Sequence, residues 1–479
     1  MQNKPTLRLK PAAKKAAQNA KKGRKPTRRG AKPAPTQDVP VQADSRVLGF
    51  HILNAVIHHH KTLDAAFAGQ KKLDELEQRD RAFTRLLVSS CLRHYGQLDK
   101  AVSEHINETT PAPVRLCLII GACQLLFLNT SAHAAANTTV QLVRQIDFPR
   151  QTGLTNAVMR NLSRQKQSLL EQLNPLDNIP PEWRRNWSAA YGTDAVKKIA
   201  ALLVKRPGLD LTARQDAQNL ADTLKADRIG AQTVRCYSAG DVTMMQGYDS
   251  GDWWVQDVAA ALPAQLMGDV QDKHIFDLCA APGGKTAQLI ANGAEVTAID
   301  SDSERIRRLD ENLTRLNMTA KLVCADLFDH QVTELAQERD VDAILLDAPC
   351  SATGTLRRRP DILVRKQTLS VTALAEQQKK MLSHALSLVV PGGVVVYATC
   401  SLQKEEGEEV VEHILDEMKD RVTLDSFTPD ELGDFAACLS DRGWARILPF
   451  ALEDKHAGTD NGNDGFFVAR LRRLSTSHP

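Results

Sequence analysis

Two cysteines follow predicted strands in the C-terminal half of the chain. Cys350 lies in the segment DAPCS and Cys400 in the segment YATCS, fifty residues later. A buried cysteine is usually a small apolar residue with no chemical role. Two thiols at equivalent strand ends are different, because neighbouring parallel strands end at the same edge of a sheet, where ligands bind. The pair therefore predicts a pocket in which a thiolate acts as a covalent nucleophile.

A thiolate suits methylation of carbon 5 of a cytosine, which is a poor nucleophile. Addition of sulfur to carbon 6 makes the ring enamine-like, so that carbon 5 can attack a methyl sulfonium. An ordinary cysteine, with a pKa of about 8.5, is mostly protonated at neutral pH, so the pocket must favour the thiolate. Asp347 can hold the cytosine at N3 and at its amino group. A second thiol, at Cys350, can help to release the product once the carbon 5 proton has left.

A glycine-containing loop follows the first strand of this region. It runs Cys279-Ala280-Ala281-Pro282-Gly283-Gly284-Lys285 and leads into a predicted helix. Such a turn brings backbone N–H groups to the crevice where open α/β sheets bind cofactors. A phosphate-binding P-loop would need a glycine where Cys279 stands, and the dinucleotide fingerprint GxGxxG is missing. The loop therefore favours a nucleotide-type ligand without a phosphate, such as S-adenosylmethionine.

Acidic residues end the strands that come next. Asp300 can accept hydrogen bonds from both ribose hydroxyls, and Asp326 can accept one from the adenine amino group. A single acid could be an ordinary strand-end residue, but Asp300, Asp326 and Asp347 stand in register at three strand ends. No metal site is expected, since the nine cysteines contain no CxxC pair.

The elements that must position these residues alternate from Trp253 to the end. The strands IFDLCAA, EVTAID, AKLVCAD, AILLDAP and VVVYATC are continuous apolar runs, as in a parallel sheet covered on both faces. WARILPF and DGFFVARL supply a final antiparallel pair. The pattern predicts a doubly wound, Rossmann-like α/β domain over residues 249–479.

Three further segments precede that domain. Residues 1–42 are predicted to be a disordered basic tail, with twelve Lys or Arg and one acid in residues 1–40. Such an arm commonly binds nucleic acid, although it can also be a solubilising extension. Apolar residues at helical spacing predict an all-α domain over residues 43–168. A small α+β module, which either connects the domains or reads RNA, is predicted over residues 169–248.

No membrane segment is expected. The longest apolar stretch, Val114 to Leu128, contains Arg115 and Gln124 and falls short of the roughly 20 apolar residues that a span requires. It is interpreted as a buried helix. The N-terminal region lacks the apolar run of a secretory signal, so we expect a cytoplasmic monomer with reduced thiols.

Several segments resemble a known family. CAAPGGKT, LLDAPCSATGTLRRRPDI and YATCSLQKEEGEEVV resemble the signature segments of the RsmB (Sun/Fmu) family of 16S rRNA cytosine-5 methyltransferases. RDRAFTRLLVSSCLR and GLTNAVMRNL resemble the NusB fold, a helical RNA-binding bundle. Together the resemblance covers nearly everything after the tail. The basic tail, the arginine before Pro360 where a histidine is common, and the loosely matching region 179–246 depart from the pattern.

The resemblance implies specific roles. Cys400 would be the nucleophile and Cys350 the cysteine that releases the product, with 16S rRNA as substrate and a helical domain that helps to grip it. The S-adenosylmethionine site would be formed by the loop from Cys279 to Lys285 and by Asp300, Asp326 and Asp347.

Three alternatives stay open on the sequence. A related methyltransferase acting on tRNA or 23S rRNA would share the chemical segments. An RNA-binding antitermination or assembly factor would need only the helical domain and the tail, and would need neither thiol. A DNA cytosine methyltransferase would take its nucleophile from the Pro-Cys segment after the fourth strand, which makes Cys350 the reactive thiol.

Overall fold

The computed structural model describes residues 44–237, 240–365, 370–453 and 462–475. The predicted basic tail lies outside these residues. The first part is all-helical, as predicted. Its helices are α1 (Ser45–Ile57), α2 (Leu63–Ala68), α3 (Gln78–Arg93), α4 (Tyr95–Ser103), α5 (Ala112–Leu126), α6 (Ala132–Gln145), α7 (Thr152–Arg164) and α8 (Lys166–Gln172).

Helix α5 is the centre of this bundle. It carries most of the longest apolar stretch of the sequence and is buried from Leu116 to Leu126, with α1, α3, α6 and α7 packed around it. Gly121 permits the closest approach, since a Cβ there would lie 2.3 Å from Thr139 Oγ1 and 2.8 Å from Met159 Sδ. The stretch is therefore a core helix, and no helix of the described residues is long and apolar enough to cross a membrane.

A small α+β region follows. It contains α9 (Pro181–Tyr191), α10 (Thr193–Leu203), β1 (Leu209–Ala213), α11 (Ala217–Leu224), β2 (Asp227–Arg228), β3 (Thr233–Cys236) and β4 (Trp253–Val255). The strands form an antiparallel sheet in the order β2-β3-β1-β4. Since β4 pairs with β1, we propose that this module extends beyond residue 248 to Val255.

The last part is the doubly wound α/β domain that the apolar runs predict. Its elements are α12 (Val258–Gln265), β5 (His274–Leu278), α13 (Gly284–Ala291), β6 (Glu295–Asp300), α14 (Ser303–Arg315), β7 (Lys321–Cys324), α15 (His330–Glu338), β8 (Ala343–Asp347), α16 (Val371–Leu388), β9 (Val394–Thr399), α17 (Glu408–Glu417), β10 (Val422–Leu424), α18 (Pro429–Leu432), β11 (Ala445–Ile447) and β12 (Phe466–Arg473).

Strand order creates the crevice. The main sheet runs β10-β12-β9-β8-β5-β6-β7, with β5 to β9 parallel and β12 antiparallel to β9. The chain leaves β5 towards β6 and β7, then crosses to β8 and β9 on the other side. The loops after β5 and β8 therefore diverge at their carboxyl ends, which is where such sheets bind ligands. The predicted pairing of β11 with β12 is also present.

The segment after β8 is held by the helical part of the chain. Arg93 Nη1, at the end of α3, donates to the backbone oxygens of Arg357 and Leu203, both at 2.8 Å. The Leu63 backbone N–H donates to Asp361 Oδ2 at 3.3 Å. Leu356 packs in the same apolar cluster as α9 and α10. The residues that follow Cys350 are thus fixed by elements far away in sequence.

Candidate active site

The loop from Cys279 to Lys285 joins β5 to α13. Its turn depends on Gly283, which caps α13 with φ of 98° and would bring a Cβ to 3.0 Å from Leu309 Cγ. The Gly283 N–H bonds the Ala280 carbonyl at 2.9 Å and closes the turn. A left-handed φ and a close neighbour both favour glycine here. The loop lies at the carboxyl end of β5, where the sequence predicts the cofactor.

Asp300 is tied to that loop. Its buried carboxylate accepts from the backbone N–H of Ala281 and that of Asp302, each at 3.2 Å. Arg305 Nη1 lies 3.3 Å from Asp300 Oδ2, and Arg305 Nη2 donates to the Ala281 oxygen at 2.6 Å. Sequence reasoning missed Arg305. The feature of the sequence that could have pointed to Arg305 is its position in the first turn of α14, the helix that follows the acid at the end of β6.

Asp326 is exposed beyond the end of β7. Its Oδ1 accepts from the Phe328 backbone N–H at 3.0 Å, and the Phe328 side chain is exposed. The Ala325 N–H bonds the Asp300 backbone oxygen at 3.2 Å, so the two predicted acids stand on one edge. An exposed aromatic ring beside this edge is a second feature that the sequence reasoning missed.

Asp347 forms an ion pair with Lys285. Lys285 Nζ, at the start of α13, lies 2.7 Å from Asp347 Oδ2 at the end of β8, and 5.3 Å from the Phe466 ring centroid. Burial alone would lower the pKa of Lys285, but the charge of Asp347 and its hydrogen bond raise it overall. Cys400 and Asp277 act in the same direction. The pocket therefore holds a fixed ammonium group that interacts electrostatically with Cys400.

Asp277 is a further acid that sequence reasoning missed. It lies inside β5, fully buried, and Thr286 Oγ1 donates to its Oδ2 at 2.6 Å. Burial raises the pKa of Asp277 to about 7, although Thr286 and Lys285 oppose that shift. The only signal in the sequence is an acid within an apolar strand.

The two thiols meet. Cys350 Sγ and Cys400 Sγ are 3.5 Å apart, and both residues are partly buried. The hydrogen bond to Cys400 and burial raise the pKa of Cys350 well above its ordinary value. The two cysteines therefore form a hydrogen-bonded pair in which either thiol can be the donor. The pair predicted from two strand ends shares one pocket with Lys285 and Asp347.

Tight backbone packing holds the thiol loops. The Gly354 N–H donates to the Cys400 oxygen, and the Gly465 N–H donates to the Gly354 oxygen, both at 2.9 Å. A Cβ at Gly354 would lie 2.0 Å from the Gly465 oxygen. Three loops therefore meet at van der Waals distance around Cys400.

Among the described residues, no cluster of three or more His, Cys, Asp or Glu side chains could hold a metal ion.

Replacing Asp300 by alanine tests the edge of the sheet that carries Asp300 and Asp326. A hydrogen bond to a charged group contributes about 1.5–3 kcal/mol, so the variant should bind S-adenosylmethionine about 10- to 100-fold more weakly. RNA affinity should stay close to that of the unmodified protein. Titration calorimetry measures the first quantity, and Asp310→Ala, at an exposed position on α14, is the control. Undiminished cofactor affinity in Asp300→Ala would remove this residue from the site.

Comparison with known proteins finds two matching families and several relatives that share one name. Residues 264–472 match the family described as 16S rRNA methyltransferase RsmB/F, and residues 43–164 match the NusB family. Ribosomal RNA small subunit methyltransferase B of Vibrio vulnificus is 31% identical over 391 residues, which cover 77% of this chain and 90% of the relative. The protein of the same name from Pseudomonas putida is 30% identical over 451 residues, which cover 90% of this chain and 99% of the relative.

Solved structures show the same fold. The crystal structure of PH0851 superposes with a TM-score of 0.67 at 20% identity, covering 89% of this chain and 98% of its own. NSun6 from Pyrococcus horikoshii, solved with SFG, has a TM-score of 0.51 at 21% identity and covers 63% of this chain and all of its own.

Proposed function

The chain belongs to the RsmB/F family of 16S rRNA methyltransferases, and from that premise we propose that it methylates carbon 5 of a cytosine in 16S rRNA. S-adenosylmethionine is the proposed methyl donor and Cys400 the covalent nucleophile. The observation that supports this chemistry is that the thiols of Cys350 and Cys400 lie 3.5 Å apart. Cys400 also interacts electrostatically with Lys285, which is paired with Asp347. Binding alone requires no such pair of thiols.

The residues at the sheet edge that carries Asp300 and Asp326 fit S-adenosylmethionine. The carboxylate of Asp300 faces three donors and has about four lone-pair sites, so it can accept from a ribose hydroxyl as well. Arg305 is half exposed and can move aside for the second hydroxyl. Asp326 would take the adenine amino group, and the Phe328 ring is exposed beside it. Bound there, S-adenosylmethionine supplies an electrophilic methyl group.

The pocket can activate Cys400. A thiolate is stabilised by a nearby cation and by a hydrogen bond, and Lys285 and Cys350 supply one each. Asp347, held by Lys285, would share a proton with cytosine N3 and so stabilise the ring when sulfur adds. The Cys400 Sγ–C6 bond then forms, and carbon 5 becomes nucleophilic enough to take the methyl group.

Cys350 can complete the reaction. The largest cause of its raised pKa is the hydrogen bond to Cys400. That cause disappears once Cys400 sulfur is bonded to carbon 6, so Cys350 becomes easier to ionise at the step that needs a base. After giving its own proton to solvent, Cys350 can take the carbon 5 proton as a thiolate, and the electron pair of the C5–H bond then restores the ring double bond and expels Cys400 as a thiolate.

The helical part supports an RNA substrate. It matches the NusB family and contacts the segment after Cys350 through Arg93 and Leu63. An RNA held by this part would therefore lie near the segment that follows Cys350. We propose that this part grips the rRNA while the α/β part carries out the reaction.

Methyl transfer to defined RNA tests the proposal. Labelled S-adenosylmethionine is incubated with the protein and unmethylated 16S rRNA, free or in small subunits, and the modified base is identified and mapped. We expect 5-methylcytosine at a single position. Label in tRNA or 23S rRNA alone would contradict the substrate, and a methyl group on another atom of the base would contradict the mechanism.

A further inference from the structure

Glu406 is a buried acid that connects the two thiol-bearing turns. It ends the 3-10 turn Lys404–Glu406, six residues after Cys400, and has no solvent-exposed surface. Its Oε1 accepts from the Ser351 backbone N–H at 2.8 Å and from Gln378 Nε2 at 3.1 Å. Its Oε2 accepts from the hydroxyls of Ser351 and Ser401, both at 2.5 Å.

These contacts link the residues that directly follow both thiols. Ser351 comes after Cys350, and Ser401 comes after Cys400. The two hydroxyls are also 3.1 Å from each other, and Thr353 Oγ1 lies within 3.4 Å of both. One carboxylate therefore sets the distance between two turns that are fifty residues apart in the chain.

The chemistry of the contacts requires a carboxylate. Four donors point at Glu406, and a carboxylate has about four lone-pair sites to receive them, whereas the amide oxygen of a glutamine has two. These four donors to Glu406 are neutral groups, namely one backbone N–H, one side-chain amide and two hydroxyls. Its negative charge is held by neutral donors, so it still acts on the groups around it.

The charge of Glu406 acts on Cys350. Cys350 is faced by Cys400, Glu406, the Tyr397 ring and the Ala352 backbone N–H. After the hydrogen bond to Cys400 and burial, the charge of Glu406 is a further cause that raises the pKa of Cys350. Cys400, by contrast, interacts with the ammonium group of Lys285.

We propose that Glu406 is a positioning residue that fixes the spacing of the two thiol turns and thereby makes Cys400, and not Cys350, the more reactive thiol. The part of this inference that concerns catalysis rests on the proposed function. The positioning role can be tested without RNA, because it concerns which of two neighbouring thiols reacts faster.

Thiol reactivity of the free protein is the first measurement. Iodoacetamide labelling is followed over time, and the peptides that contain Cys350 and Cys400 are quantified by mass spectrometry. In the unmodified protein Cys400 should react faster. In Glu406→Gln, Cys350 should gain reactivity, so that the ratio of the two rates changes by at least about threefold. Glu409→Gln, the same change at an exposed position three residues later, should leave the ratio unaltered.

Single-turnover kinetics give the second measurement. In Glu406→Gln, methyl transfer and product release should both slow by about tenfold or more, since a small misplacement of reacting groups is costly. Affinities for S-adenosylmethionine and RNA should stay within about twofold of the unmodified protein. Glu406→Ala should be slower still, or should fail to fold, and Glu406→Gln keeps the test decisive in that case.

Two results would overturn the proposal. One is an unchanged labelling ratio in Glu406→Gln. The other is a loss of rate that only follows a loss of substrate affinity or of folding stability. If the unmodified protein transfers no methyl group to RNA, the proposed function fails, yet the labelling ratio still decides whether Glu406 controls the two thiols.

Discussion

Replacing Cys400 by alanine should abolish the covalent RNA adduct and lower methyl transfer by about 10⁴-fold or more, as expected for loss of a catalytic nucleophile. Without a sulfur on carbon 6, carbon 5 of the cytosine stays a poor nucleophile. Binding should survive, since the side chain is small and partly buried. Label transfer gives the rate, and denaturing gel electrophoresis with 5-fluorocytosine-substituted RNA reveals the adduct, because fluorine prevents the last elimination.

Cys350→Ala is the informative partner of that variant. It keeps the nucleophile and loses only the neighbour, so the adduct should form and persist with ordinary RNA. Cys438→Ala, in the 3-10 segment Gly433–Cys438, should behave as the unmodified protein. The opposite pattern, with the adduct lost in Cys350→Ala and kept in Cys400→Ala, would assign the nucleophile to the turn after β8 and would reverse the proposed roles.

Breaking the Lys285–Asp347 pair should have the second largest effect. Asp347→Asn removes the charge that holds the buried ammonium and the group proposed to share a proton with cytosine N3. A side chain that shares a proton in the transition state typically contributes about 10²- to 10⁴-fold to the rate, so kcat/KM should fall by about 10²- to 10³-fold. Steady-state kinetics with saturating S-adenosylmethionine measure the loss.

A double-mutant cycle with Lys285→Met shows whether the two residues act together. Since each variant leaves the other group without its partner, the double variant should lose much less than the sum of the single losses. The exposed pair of Arg307 and Glu304 on α14 provides the control, because Glu304→Gln should change kcat/KM by less than about twofold. Additive losses at Lys285 and Asp347 would show that the pair is not a unit.

The sequence by itself determined the framework of this site. Continuous apolar runs specify buried parallel strands, because a strand covered on both faces has no polar side. Parallel strands end at one edge of the sheet. The apolar runs were therefore enough to place at that edge the residues that end or follow them, namely Asp300, Asp347, Cys350 and Cys400. The fold class and the family followed from the same local patterns and from the signature segments, and both are confirmed.

The tertiary structure decided which polar groups meet. Lys285 and Asp347 are 62 residues apart, and Glu406 lies 55 residues from Ser351. No periodicity encodes such contacts, since they depend on the direction of each side chain and on the burial of its donors and acceptors. The short strand β4 likewise joins the small sheet only through its pairing with β1. A local pattern fixes where a strand ends. The charged groups around two neighbouring thiols come together only when distant segments pack, because electrostatic interactions depend on separation in space and not along the chain.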